Sequence, residues 1–342
     1  MGDRFFSKIQ YGPEIVSTHG TAVAATKMLI GGKVSAVTTD RTPRAVVEDI
    51  GLRAESTRMV FEQLQVKESL SIPEGYFQAL PLLLGCGLKG GITPAPVTGG
   101  KTDYLWDFTP ALTFGTLNAP DSFTLEKGDN TQAFETEYCM VERIKISGQV
   151  AQGAEDAPVS IDADFFGRQW TAGSFTGSIP IPAVTGMNSK LARLYLDTTW
   201  AGAGGTELAN ALRSFEVDIL TGVHPTFTGS ANKYFNVHQE GMIAVMLTLT
   251  LEGSTAANAI RTAFAVDPQV LAVARLSIIG PTIPTATPHS LNITIGGMWD
   301  EVIPLGEEDR GNNLTTCVLR GLYDATGAKM FTCNVVTDVA LY

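Results

Sequence analysis

The chain is short of charge, histidine and cysteine, and each shortage excludes something. Of its 342 residues only 17% are Asp, Glu, Lys or Arg, against a globular average of about 25%. So little charge at this length implies surface meant to be covered, by core packing or by other subunits. Basic residues number 24 and acidic residues 35, a formal net charge of -11. A protein that grips nucleic acid needs clustered Lys and Arg to displace counterions, and no such cluster is present. The four histidines, His19, His224, His238 and His289, fall in no HxH or HExxH arrangement and read as surface or turn residues. The four cysteines, Cys86, Cys139, Cys317 and Cys333, form no CxxC and no zinc ribbon, so they are expected as buried reduced thiols. The apolar run Leu80–Cys86 is far too short to span a membrane. The opening MGDRFFSKIQYGPE lacks the apolar core of a secretory signal. Synthesis in a cytoplasm, with no membrane partner, is the expectation.

Catalytic constellations are missing as well. Ser230 follows Gly229, but the second glycine of a GxSxG elbow is absent. Lys101-Thr102 follows Gly99-Gly100, but Pro94 stands where a phosphate loop needs glycine. Gly202–Gly205 opens no βαβ unit, so a dinucleotide fold is not expected. Carboxylates pair at Asp162/Asp164, at Glu135/Glu137 and across Glu307-Glu308-Asp309. Asp162 and Asp164 share one face of a strand, about 7 Å apart. Such a pair could serve acid–base chemistry on a glycan, but a solvated strand face is the preferred reading, because nothing else in the segment marks a cleft. The reading is no enzyme, no cofactor and no metal.

What the chain does have is period-two alternation. Lys33–Thr38, Leu64–Leu70, Cys139–Ile146, Val159–Ala163 and Phe215–Leu220 read as strands. So do Leu247–Leu251, Leu291–Ile295, Thr315–Leu319 and Phe331–Val336. The 35 glycines and 17 prolines punctuate these strands with turns. Helix signals are few. Ser71–Gly85 has a capping serine and an early proline, with Pro81 expected to kink or divide it. Ala256–Phe264 is a second candidate. Pro268–Arg275 is a third, open to reading as a strand, and Thr206–Arg213 could form one or two turns. Lys89–Gly100 and Thr171–Gly186 read as long loops, the latter as a linker. Leu305–Asn313 reads as an exposed loop. The expected organisation is mainly β, with domains at 1–180 and 181–342.

A weak internal repeat spans that linker. Tyr104-Leu-Trp-Asp107 leads to Ser122-Phe-Thr-Leu125, and Tyr195-Leu-Asp197 leads to Ser214-Phe-Glu-Val217. Downstream of each lies an alternating strand closed by glycine, ending at Gly148 and at Gly253. Repeated spacing of this kind suggests two copies of one unit.

Several segments together resemble a known family. They are Tyr104–Ala111 with Ala119–Asn130, Val141–Ala154 with Ala157–Gln169, Phe227–Phe235 leading into Leu247–Gly253, and Glu74–Leu88. Their order and spacing are similar to the tail tube proteins of long-tailed bacteriophages, in the branch with two tube domains per chain. The resemblance covers roughly residues 70 to 253. It implies two tandem β-sandwich or β-barrel units, each with a short flanking helix and long loops. It implies rings joined through sheet edges, the partners being copies of itself and other tail proteins (terminator, baseplate, tape measure). Three two-unit chains would make a six-unit ring, set in the virion, with DNA passing through the lumen without specific binding. The family offers no catalytic residue to carry over. An acidic lumen would repel phosphates, and Glu142, Asp162 and Asp164 are the lumen-facing candidates. Lys89, Gly100, Thr171 and Gly186 mark the candidate inter-ring loops. Alternatives are another virion β-protein (terminator, baseplate hub or decoration protein) or a carbohydrate-binding or glycan-active β-sandwich.

Overall fold

A computed structural model describes residues 6–14, 18–34, 41–99, 102–113, 115–150, 157–284, 287–309 and 311–342. Gly100 and the strand expected over 35–38 lie outside them. The protein is mainly β. Its first half holds β1 (Lys8–Pro13), β2 (Lys27–Leu29), β3 (Lys33–Val34), β4 (Arg41–Ala45), β5 (Met59–Leu64) and β6 (Val66–Ile72). A short helix α1 (Leu80–Gly85) follows. Then come β7 (Ala95–Pro96), β8 (Tyr104–Asp107), β9 (Phe123–Gly128), β10 (Ala133–Gln149), β11 (Val159–Gly167) and β12 (Trp170–Gly173). The second half holds β13 (Ala192–Asp197), β14 (Leu212–Leu220), β15 (Val223–Thr226), β16 (Val237–Glu240) and β17 (Ala244–Glu252). After helix α2 (Thr255–Phe264) come β18 (Ala272–Thr282), β19 (Pro288–Asp309), β20 (Asn312–Gly321) and β21 (Phe331–Thr337).

The alternating segments form the expected strands, because one face of each is buried. In β17, Val245, Leu247, Leu249 and Leu251 point inward while the residues between them do not. Helix α2 matches its sequence signal, and the Ser254 hydroxyl accepts from the Ala257 amide at its start. Other expectations need correction. Ser71 and Ile72 belong to β6, and the α-helix covers only Leu80–Gly85, with a 3-10 turn at Phe77–Ala79 before it. Pro81 sits in the first turn of this helix, where its missing N–H costs nothing. Pro268–Arg275 is no helix: Ala272 onward is strand β18, as its β-branched residues permit. Thr206–Arg213 is turn and strand. Leu305–Asn313 is not a loop but the end of a long hairpin, with β19 running to Asp309 and β20 starting at Asn312.

The strands pair antiparallel throughout the sheets, and two long strands organise them. The first part of β10 lies between β9 and β12; its second part lies between β11 and β14. The first part of β19 lies between β18 and β21, and its second part pairs with β20. The surrounding pairings recur in the same order. β6 pairs with β11 as β17 pairs with β20. β1 pairs with β9 as β13 pairs with β18, and β3 pairs with β6 as β14 pairs with β17. A two-stranded ribbon, β4–β5 or β15–β16, interrupts each copy of the pattern at the same place. A helix follows β6 and β17 alike. This recurrence pairs other stretches than the sequence comparison did. The SF strands are β9 and β14, whose counterparts are β18 and β3; the glycine-closed strands are β10 and β17, whose counterparts are β19 and β6.

Hydrogen bonding crosses residue 180 directly, since β10 pairs with β14 and β8 with β21. The circuit β10–β14–β17–β20–β19–β18–β13 returns to β11 through a bridge between Pro158 and Asn188. Inside it, one apolar core takes Ile144, Ile146 and Ile161 from the first half and Phe215, Leu247, Ile293 and Cys317 from the second. Each fully buried side chain of this size contributes about 1.5–3 kcal/mol. All four cysteines are buried with free thiols. The C-terminus closes on the first half: Trp106 Nε1 donates to the Val339 carbonyl at 2.8 Å, and the Tyr342 hydroxyl bonds the buried Asp121 carboxylate.

Candidate functional site

The seam between the halves is a full antiparallel pairing, Arg143–Gln149 against Ser214–Leu220. Its inner side is apolar, with Ile144, Ile146, Phe215, Val217 and Ile219 in the core. Its outer side is charged and complementary. Arg143 donates twice to Asp218, from Nε at 2.8 Å and from the other guanidinium nitrogen at 2.6 Å. Lys145 Nζ lies 2.8 Å from the Glu216 carboxylate. At the end of the seam the Thr221 hydroxyl donates to the Val141 carbonyl at 2.8 Å.

These residues belong to a polar face that continues over β6, β11, β10, β14, β17 and β20. Asp162 and Asp164 stand on it, opposite Lys145 and Arg143 in the β10–β11 register. Asp164 accepts from the Ser69 hydroxyl at 2.6 Å. Glu142 sits at a β-bulge beside them, 3.6 Å from Lys67. The cations of these strands are matched with carboxylates: Lys67 with Glu142, Arg143 with Asp218, Lys145 with Glu216, Arg213 with Glu252, and Arg320 with Asp300. A phosphate approaching this face meets cations already engaged and carboxylates in excess.

No protein-family model matches the chain, and no curated protein sequence does either. Among the described residues no three His, Cys, Asp or Glu side chains converge to hold a metal ion, and no helix is long and apolar enough to cross a membrane.

The candidate loop residues take definite places. Lys89 Nζ donates to the Thr109 carbonyl at 3.2 Å. Thr171 is a strand residue of β12, paired with Glu135. Gly186 bridges Tyr76. The segment read as a linker is tied to the first half, through Thr176 N to Glu126 at 2.8 Å and Thr185 N to Gln78 at 2.9 Å.

A second seam contact was not legible in the sequence. The β15–β16 ribbon folds back over the first half, where Phe235 and Val223 pack on Tyr138, Met140 and Phe166. Arg168 Nε donates to the Phe235 carbonyl at 3.0 Å, and its guanidinium lies 4.8 Å from the Tyr138 ring centre and 4.7 Å from that of Tyr234. The Glu240 carboxylate accepts from the Asn118 and Ala119 amides, both at 2.9 Å. His238 Nδ1 lies 3.0 Å from the Tyr138 hydroxyl, and His19 stacks on the Tyr138 ring. These two histidines are thus seam residues rather than surface ones; burial holds both below the ordinary imidazole value. His289 is buried, stacked on Phe77, and His224 alone is exposed, on strand β15. Beneath them lies the buried Glu14 carboxylate. It accepts from the Gly20 and Tyr138 amides at 2.7 and 2.8 Å and from the Ser122 and Thr124 hydroxyls at 2.6 and 2.9 Å.

Proposed function

We propose that this chain is a self-assembling structural subunit, the major tail tube subunit of a long-tailed bacteriophage. In this reading the recurring pairing pattern marks two tandem β-sandwich units, each with a short flanking helix. The observation that carries it is the β10–β14 seam, which joins unit to unit, edge to edge, inside one chain. The same two edges are open at the far ends. Among the described residues β3 pairs only with β6, and β19 beyond Gly297 pairs only with β20. An unpaired edge is an aggregation hazard unless something covers it. A repeat of the seam between chains covers both, and a head-to-tail contact that closes on rotation gives a ring.

Closure with three chains gives six units. The polar face then lines the channel, with Asp162, Asp164 and Glu142 inside and its cations engaged by carboxylates. DNA is repelled rather than held, which keeps passage fast. Stacking of rings makes the tube, with other tail proteins at its ends.

Electron microscopy of the purified protein tests the reading. Hollow tubes or stacked rings are expected. Discrete, unstacked oligomers favour another virion protein, and a persistent monomer rejects assembly.

A further inference from the structure

The two ribbons occupy equivalent positions, yet among the described residues only one is docked. β15–β16 packs on Tyr138, Met140 and Phe166. β4–β5 leaves its apolar groups in solvent, with Met59 66% and Phe61 44% exposed, and Val47 and Leu52 exposed too. Among the described residues its attachments to the body are at its base, where Leu64 N donates to the Lys233 carbonyl and Lys233 Nζ to that of Phe61.

The docking site for β15–β16 also has an equivalent. On β10, Cys139 is opposite Phe123, and Met140 is opposite Phe166 just before Gly167 and Arg168. On β19, Gly297 is opposite Ala272, and Met298 is opposite Arg320 just before Gly321 and Leu322. Strand backbones crowd at Gly297: a Cβ there would run into the Arg320 carbonyl. So β18's approach, β19 and β20's exit are held side by side. Around this point Val270, Met298, Leu322 and Tyr323 are all exposed. Gln269 fixes the approach through hydrogen bonds to the Trp299 amide and carbonyl, both 3.1 Å. Scattered exposed apolar residues are ordinary, but a patch at a site already used for docking elsewhere in the chain is not.

We infer that the β4–β5 ribbon of one copy docks on the Val270, Met298, Leu322 and Tyr323 patch of a second copy, repeating between chains the contact that β15–β16 makes within one. The inference rests on the ring reading, because joining the β19 edge to the next chain's β3 brings that chain's ribbon over this patch, as joining β10 to β14 brings β15–β16 over Tyr138. It goes beyond that reading by giving the ribbon a lateral role, clamping neighbours within a ring. Aromatic and methionine side chains facing an apolar patch are the composition of an interface core.

Separate chains carrying Phe61→Cys and Tyr323→Cys, mixed before assembly and treated with a short bis-maleimide, test the contact; the native thiols are all buried. Cross-linked pairs are expected only in the mixture. Tyr323→Asp is expected to weaken association at least about tenfold with its melting transition unchanged. Rings that form without the mixed cross-link, and that tolerate Tyr323→Asp, overturn the ribbon contact and leave the tube reading standing. A mixed cross-link in a discrete dimer supports the contact and overturns the tube reading. A monomer with no cross-link overturns both.

Discussion

Arg143 on β10 grips Asp218 on β14 with two hydrogen bonds, 2.8 and 2.6 Å long, across the seam that joins the two halves of the chain. Both side chains are partly exposed, so water screens the pair and the two-pronged geometry supplies most of its value. Asp218→Ala is expected to cost about 1 kcal/mol in urea unfolding. The double exchange Arg143→Asp with Asp218→Arg is expected to recover about half of that. Equal loss in both variants would show that the seam is held by its apolar side alone.

Glu14 matters more than any surface pair. Four donors converge on its buried carboxylate, one of them the amide of Tyr138, whose φ of 56° is left-handed. Glu14→Ala strands these donors away from water, at a cost of about 3 kcal/mol or more. Chemical denaturation measures it. Glu14→Gln keeps the shape but loses the charge and an acceptor, and is expected to fall between alanine and the native protein.

Docking of the β15–β16 ribbon is expected to weaken in acid. His238 is held low first by burial and then by His19; His19 is held low by burial, partly offset by Glu14 and Asp121. Glu240 offsets the lowering at His238. Groups with depressed folded values stabilise the fold above the free imidazole value of 6.5, and that contribution is lost as pH falls through their folded values. Glu137 beside Arg168 is raised by burial and works in the opposite sense, at lower pH. Protection of the amides over residues 223–240, measured relative to their intrinsic exchange rates, is expected to fall as pH drops below the free imidazole value of 6.5. His238→Phe flattens that dependence if the histidine is responsible; an unchanged slope assigns it elsewhere.

On the proposed tube reading, charge on the polar face bears on DNA passage rather than on folding. Asp162→Lys with Asp164→Lys is expected to leave tube assembly intact in electron micrographs and to slow DNA ejection. An unaltered ejection rate removes these two carboxylates from the proposed channel.

Much of the strand content was legible because alternation is local. Leu247, Leu249 and Leu251 announce a half-buried strand without reference to anything else in the chain, and Ser254 announces the helix that follows. Errors arose where neighbours decided. Pro268–Arg275 carries a pattern that suits helix or strand, and pairing with β19 selected strand from Ala272. Glu307–Asp309 look like a loop tip until β20 pairs with them. His19 and His238, more than two hundred residues apart in the chain, gave no motif, and only the fold sets them against Tyr138.

By itself the sequence determined a β-rich chain with buried thiols, short helices and an acidic balance, since each of these is set by composition or by near neighbours. The tertiary structure decided how the strands are partnered. A strand's period of two fixes which side chains face inward but not which strand lies beside it. That choice is made by long-range pairing, and it joined β10 to β14, left the edges of β3 and β19 without a second partner among the described residues, and placed Asp162 and Asp164 on the same face as Arg143 and Asp218.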